Sequence, residues 1–232
     1  MPLIVIRGEP GCTRTVAGAL ELGLNPRAFP LFTARPLAWA APDPSGFDGV
    51  LVGSANVFLH GGAGLAALRS LPVHAVGETT AEAAHNAGFR VAATGEGGLQ
   101  GVLDIVPAGT RLLRLAGAER IVLTPPPGVT VAEQLVYEII PAPMHEELVR
   151  LLRAPAVIAL HSAEAARHFR AECERTGIDR ALHLLAVIGP RVAEAAGPGW
   201  GAIGVAPRPA ETALLAKAAE LCQITATERG RT

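Results

Sequence analysis

Short apolar strand-then-turn segments recur along this chain, and their recurrence limits its fold more than any other feature. Asp48-Gly49-Val50-Leu51-Val52-Gly53-Ser54-Ala55 resembles Pro155-Ala156-Val157-Ile158-Ala159-Leu160-His161-Ser162-Ala163, with the paired serines 108 positions apart. Val76-Gly77-Glu78-Thr79-Thr80-Ala81-Glu82-Ala83 resembles Ile188-Gly189-Pro190-Arg191-Val192-Ala193-Glu194-Ala195 at an offset of 112. Ile6-Arg7-Gly8-Glu9 resembles Leu115-Ala116-Gly117-Ala118 at an offset of 109. Three landmarks in one order at nearly one spacing indicate a duplicated unit.

The unit itself is legible. Continuous apolar runs at 3–6, 50–52, 73–76, 111–115, 157–160 and 184–188 read as strands buried on both faces. Ala/Glu/Arg-rich stretches at 13–22, 79–87, 164–173 and 192–196 read as helices, with Gly88 in a helix-stop position. Strands alternating with helices predict βα units and a mostly parallel sheet in each of two lobes. Half of the residues are hydrophobic and only 4% aromatic, which suits helices packed closely on such a sheet. Two extended segments, 27–33 and 133–141, break the rhythm at matching places and read as strands connecting the lobes, with the working cleft between them. The residues from Gln223 onward are polar and read as a frayed tail.

Several functions are disfavoured. Twenty basic and 21 acidic residues, spread evenly, give a net charge of −1, without the basic face or stacking aromatics of a nucleic-acid binder. Four apolar residues before Arg7 are too few for a signal-peptide core, and no apolar run approaches a membrane span. Cys12, Cys173 and Cys222 are odd in number and far apart, as reduced packed thiols of a cytoplasmic protein would be. The run Gly95-Glu96-Gly97-Gly98-Leu99-Gln100-Gly101 lacks the dinucleotide glycine spacing, and there is no phosphate-loop signature. The histidines show no H-E-x-x-H, and His161 and His168 have no carboxylate at ligand spacing, so both read as solvated or packed. No metal, cofactor or Ser/His/Asp site is legible.

The candidate chemistry therefore lies at strand-to-helix turns. Ser54 and Ser162 each end a strand and open a helix. Either hydroxyl can be a plain N-cap, worth roughly 1 kcal/mol, or part of an anion cradle with the helix amides at the carboxyl edge of the sheet. Gly77 permits a tight turn, and Thr80 offers a hydroxyl that Val192 lacks in the other repeat, so a symmetric site is not expected. Arg7 and Arg120 follow strands near glycines and are either solvated or ligand-directed. Tyr137, the only tyrosine, is either a packed ring or a phenol able to donate into the cleft.

Taken together, these segments resemble the uroporphyrinogen-III synthase family. The segment 47–57, with Ser54 and Asn56, looks like its strand-then-"TSxNAV" element, and 75–83, with Gly77 and Thr80, like its "VGxxTA" turn. Gly117 and Arg120 resemble its "GxxR", Val136-Tyr137 its "VY" linker, His161-Ser162 its "TSP", and Gly189-Pro190 its "AxIGP". The resemblance implies a cofactor-free, metal-free lyase that cyclises hydroxymethylbilane with loss of water and inversion of the last ring. It implies a cytoplasmic monomer, acting on this octacarboxylate and on neither nucleic acid nor membrane. It implies one lobe from 1–31 plus 141–226, another from 36–136, linker strands at 32–35 and 137–140, and a polar tail at 227–232. Tyr137 would be catalytic. Arg7, Ser54, Asn56, Gly77, Thr80, Gly117, Arg120, Ser162, Gly189 and Pro190 would bind substrate.

The chain departs from the family pattern at several places. Gly53 and His161 stand where members often carry threonine, Ala118 replaces an acidic or small polar residue, and Arg191-Val192 replaces threonine. Members carry a helix at 121–128, where Pro125, Pro126 and Pro127 predict a loop here. The alternatives on these residues are a non-catalytic two-lobed binder of an anionic small molecule, or a degenerate domain serving protein interaction.

Overall fold

The computed structural model describes residues 1–95 and 98–229, with the side chains of 224–229 left aside. Glu96 and Gly97, in the glycine-rich run discounted above, and the tail residues 230–232 lie outside the described residues. In chain order the elements are β1 Leu3–Val5, α1 Gly11–Glu21, β2 Pro26–Ala28, β3 Phe32–Pro36, β4 Gly49–Val52, α2 Asn56–His60, β5 Val73–Val76, α3 Glu78–Asn86, β6 Val91–Gly95, α4 Leu99–Asp104, β7 Arg111–Gly117 and β8 Thr130–Pro141. There follow α5 Glu146–Leu151, β9 Val157–Leu160, α6 Ala163–Thr176, β10 Leu184–Val187, α7 Pro190–Ala196, β11 Ala202–Val205 and α8 Glu211–Arg229.

The contacts divide the chain into two units, one formed by Met1–Thr33 with Pro141–Thr232 and the other by Ala34–Ile140. The first unit holds a five-stranded sheet in the order β11-β10-β9-β1-β2, with every neighbour pair parallel. One face of it closes over Leu3, Val5, Val157, Ala159 and Ala186 with Ala19 of α1 and Leu214 and Ala218 of α8. On the other face Phe169 of α6 is fully buried and stacks on Trp200, ring centroids 5.6 Å apart.

The second unit holds the order β3-β8-β7-β4-β5-β6, with β8, β7, β4, β5 and β6 parallel to their neighbours in turn. Successive residues of β4 serve different cores, as the period of two requires. Val50 and Val52 join Leu113, Leu115 and Val136 on one face, while Leu51 joins Leu99, Leu103 and Leu112 on the other. That two-sided burial is why these strands read as unbroken apolar runs.

The strand orders carry the duplication further than the sequence did. The repeat equates β4 with β9, β5 with β10 and β7 with β1. Laid side by side, β6-β5-β4-β7-β8 and β11-β10-β9-β1-β2 then run in the same spatial order. The difference is where the chain enters: β1 opens its unit, whereas its counterpart β7 is reached late.

Three expectations need correction. The segment 27–33 is not one connecting strand, because Arg27 and Ala28 pair with Ile4 and Val5 at the edge of the first sheet, and β3 begins only at Phe32. Residues 223–229 are not a frayed end, since α8 continues to Arg229. Five elements, β6, α4, α5, β11 and α8, were not anticipated. The proline-bearing segment between β7 and β8 carries no helix, as Pro125–127 require.

Candidate functional site

In open parallel sheets, ligands bind outside the carboxyl ends of the strands where the chain's winding reverses, because the flanking loops part there. In the second unit the reversal lies between β4 and β7, which pair in register from Gly49 with Leu112 to Val52 with Leu115. A cavity of about 280 Å³ opens at that place, lined by residues following both strands, among them Gly53, Ser54, Gly117 and Arg120, together with Arg114 and Tyr137.

Tyr137 is placed there by an irregularity. The β7–β8 register slips between Ala116 and Gly117, so that Gly117 pairs with Tyr137, and the Ala118 N–H donates to the Tyr137 carbonyl at 2.9 Å. Gly117 is required by contact: a Cβ there would stand 2.7 Å from Tyr137 Cζ. Most of the tyrosine is buried in the core beside Val136 and Leu115, and its ring is 6.4 Å from that of His60. It is both the packed aromatic and a cavity-lining group.

Beneath the cavity lies a charge cluster that the sequence did not reveal. Arg114, in the middle of β7, has a side chain only 3% exposed and pairs with Glu133 at 2.6 Å. It also donates to the Ile121 carbonyl at 2.9 Å, and its Nε has no partner among the described residues. Arg120 donates to the other Glu133 oxygen at 2.9 Å and to the Ala118 carbonyl at 3.0 Å. Burial alone would raise the Glu133 carboxyl, but the two guanidiniums outweigh it and hold it below its usual range. The available signal was a charged residue inside an apolar strand, Leu112-Leu113-Arg114-Leu115.

The other residues expected in this unit stand apart from the cavity lining. Asn56 is buried on α2, donating through its N–H to Ser54 Oγ at 3.3 Å, and its Oδ1 has no partner among the described residues. The bond to Ser54 Oγ is the one an N-cap side chain makes to the second helical amide, so Ser54 caps α2 ahead of Ala55, whose backbone is already helical and whose side chain makes no cap bond. Gly77 adopts φ +72, which supplies the turn expected of it. Thr80 is buried in the first turn of α3, and its counterpart Val192 is buried likewise. The hydroxyl-for-methyl exchange between the copies thus falls at a buried position, and Thr80 is not among the residues lining the cavity.

In the first unit the equivalent reversal lies between β9 and β1, paired from Leu3 with Val157 to Val5 with Ala159. Arg7 follows β1, and His161 and Ser162 follow β9. Ser162 is the true N-cap of α6, its Oγ accepting from Ala165 N–H at 3.1 Å. Arg7 is engaged by Glu211, at the start of α8, at 3.0 Å. Thr15 Oγ1 donates to Glu211 Oε1 at 2.5 Å, and His161 Nε2 lies 3.2 Å from both carboxylate oxygens. Because a carboxylate only accepts, Nε2 carries the proton. Burial raises the Glu211 carboxyl, but bonds from His161 and Thr15 and the charges of His161 and Arg7 overcome it and leave it at about 2. His161 thus has a carboxylate partner after all, fifty residues along the chain, and is packed rather than solvated. His168 is likewise engaged, 2.7 Å from the Ala142 carbonyl.

Gly189 precedes α7 and Pro190 opens it, without a side-chain cap. No disulfide joins the cysteines among the described residues, and burial pushes the Cys12 thiol up to about 11 and Cys173 to about 12. Among the described residues no three His, Cys, Asp or Glu side chains group as metal ligands would, and no helix is long and apolar enough to cross a membrane.

Parallel sheets with helices on both faces, and a partly apolar, cation-lined cavity at a winding reversal, define an α/β protein that binds an anionic small molecule. The family description HEM4, uroporphyrinogen-III synthase HemD, matches residues 14–216. The chain therefore belongs to the uroporphyrinogen-III synthase family, lyases that act on hydroxymethylbilane. This family has the two-unit α/β fold described above and functions in tetrapyrrole and heme biosynthesis. Membership does not favour the non-catalytic binder. The chain is similar to the uroporphyrinogen-III synthetase of Helicobacter pylori, with 17% identity over 95% of this chain and 100% of that one, at a TM-score of 0.59. The synthase of the extremely thermophilic bacterium Thermus thermophilus shares 18% identity over 98% and 99% of the two chains, at a TM-score of 0.38. Curated proteins contain no match.

Proposed function

We propose that this chain closes hydroxymethylbilane to uroporphyrinogen III, and that Tyr137 and the residues around the second unit's cavity carry the specific contacts. The observation that supports this reading is the convergence of Ser54, Gly117, Arg120 and Tyr137 on one cavity at the winding reversal. Four residues singled out from three separate motifs meet there.

The reaction breaks the bond between the terminal carbon and its hydroxyl, which leaves as water, and generates an azafulvene cation. That carbon then bonds to the substituted position of the last ring to give a spiro intermediate. The bond from that position to the methylene of the third ring breaks, and the methylene carbon bonds instead to the last ring's free α position, which loses its proton and leaves the ring inverted. Tyr137 protonates the departing hydroxyl, a contribution typically worth roughly 10²–10⁴-fold. The bilane also closes unaided to the uninverted isomer, so the larger task is to hold the conformation that yields the inverted one. Arg120 and the strand-end amides near Ser54 and Gly117 serve that task by binding side-chain carboxylates. In the first unit, Arg7, Ser162, Gly189 and Pro190 form the matching sheet edge, and the Glu211 bond directs Arg7. We read the setting as a cytoplasmic monomer working on a small molecule alone, a reading supported by cysteines that form no disulfide among the described residues and by a balanced charge.

The test is to incubate the protein with freshly prepared hydroxymethylbilane and separate the cyclised isomers. Uroporphyrinogen III above the blank is expected. The uninverted isomer alone, at the blank rate, refutes the proposal.

A further inference from the structure

The cavity of the second unit combines an apolar lining with buried charge. Its lining includes apolar Val57, Val76, Leu99 and Ile121 and the cationic Arg114 and Arg120. Both guanidiniums lean on one carboxylate, Glu133. Arg114 is nearly sealed from water, so its charge acts through a medium that screens it poorly. Burying a cation is costly unless it is fully paired, yet one partner is shared and Nε has none among the described residues. Glu119 also lines the cavity, but it is exposed and forms no ion pair among the described residues, so water screens its charge. The array is short of one anion, and the adjoining space is apolar and aromatic.

The volume restricts what fills it. About 280 Å³ falls just under the roughly 300–1,000 Å³ of pockets that hold drug-sized ligands. It admits one substituted ring and not a whole linear tetrapyrrole. We propose that this cavity is a subsite for a single carboxylate-bearing pyrrole ring of the substrate. In it, the Arg114–Glu133–Arg120 array receives the side-chain carboxylate while Leu99, Ile121 and Tyr137 flank the ring. The proposal rests on the reading of the reaction given above and adds Arg114 as a binding residue. The loop after β7 forms one wall and is tied down from within by the Arg114 bond to the Ile121 carbonyl. Gln100 holds it from outside, bonding both ways to the Thr124 backbone.

The test uses a monopyrrole carrying one acetate and one propionate arm, titrated calorimetrically into the full chain, beside its dimethyl ester. Arg114→Gln is combined with Glu133→Gln, so that neither charge is left buried alone, and Arg120→Gln is made separately as a surface variant. The diacid is expected to bind the unaltered protein. The ester, the double variant and Arg120→Gln should each weaken that binding about tenfold or more, as expected for losing a charge-assisted hydrogen bond. With hydroxymethylbilane, the variants should raise KM more than they lower kcat. Absence of diacid binding, equal binding of the ester, or unchanged affinity in a folded variant overturns the subsite. Should the double variant not fold, Arg120→Gln decides alone. A protein that makes uroporphyrinogen III but binds the monopyrrole without regard to charge refutes the subsite only. One that makes none refutes the reaction, whatever the monopyrrole does.

Discussion

Replacing Glu211 by glutamine should remove a specific part of the acid sensitivity of the first unit. The side chain keeps its shape but loses its charge, and Arg7, Thr15 and His161 all converge on it. The folded carboxyl lies at about 2, against an ordinary value of 4.5. A depressed carboxyl stabilises the folded state fully above the unfolded value, and the benefit drains away as pH falls from about 4.5 towards 2. At about 1.36 kcal/mol per pH unit the displacement has an upper limit of about 3.4 kcal/mol. Because 35% of the Glu211 side chain remains exposed, solvent screening reduces this to about 1–2 kcal/mol. The assay is urea unfolding from pH 7 to pH 2.5, read by Trp200 fluorescence. A Trp39→Phe background leaves Trp200, which packs on Phe169 in the first unit, as the only tryptophan. The advantage of the glutamate protein over Glu211→Gln should be largest at pH 7 and shrink by about 1–2 kcal/mol below pH 4.5. Two parallel stability curves across that range would refute the reasoning, because every other titrating group is common to both proteins.

Other consequences are as direct. Tyr137→Phe should lower the turnover of hydroxymethylbilane and leave thermal stability nearly unchanged, since the ring and its core contacts persist; unaltered turnover removes the phenol from the mechanism. Gly117→Ala should destabilise the second unit by about 1–3 kcal/mol through overpacking against the Tyr137 ring and lower activity with it, as thermal denaturation and isomer assays would show together. Thr80→Val reproduces the other copy's buried residue, and product affinity by titration should stay the same; a tenfold loss would return Thr80 to the ligand. Phe169→Ala should cost about 3–5 kcal/mol in urea unfolding of the first unit, because the ring is fully buried.

The site is legible in the sequence only in part, and the parts differ in kind. Ser54, Gly117, Arg120 and Tyr137 each sit at a strand end or on a strand that the apolar pattern marks, but the β8-β7-β4 order and the register slip at Gly117 are what bring them together. Thr80 is less legible, because a position in the first turn of a helix does not say which way the side chain turns. That depends on how α3 lies on its sheet, and it lies with Thr80 and Ala84 inward. Arg114 reads only as part of a strand, since its meaning depends on Glu133, nineteen residues away.

What the sequence by itself determined is the repeating βα scaffold, the family, and the strand ends at which ligands meet it. These rest on local periods and short motifs, which are properties of neighbouring residues. Only the tertiary structure decided the charge pairings: Glu133 beneath Arg114 and Arg120, and Glu211 against Arg7, Thr15 and His161. Such pairs join residues brought together by sheet register and helix packing, and burial is what gives their charges force. No linear pattern encodes the depth at which a carboxylate will lie.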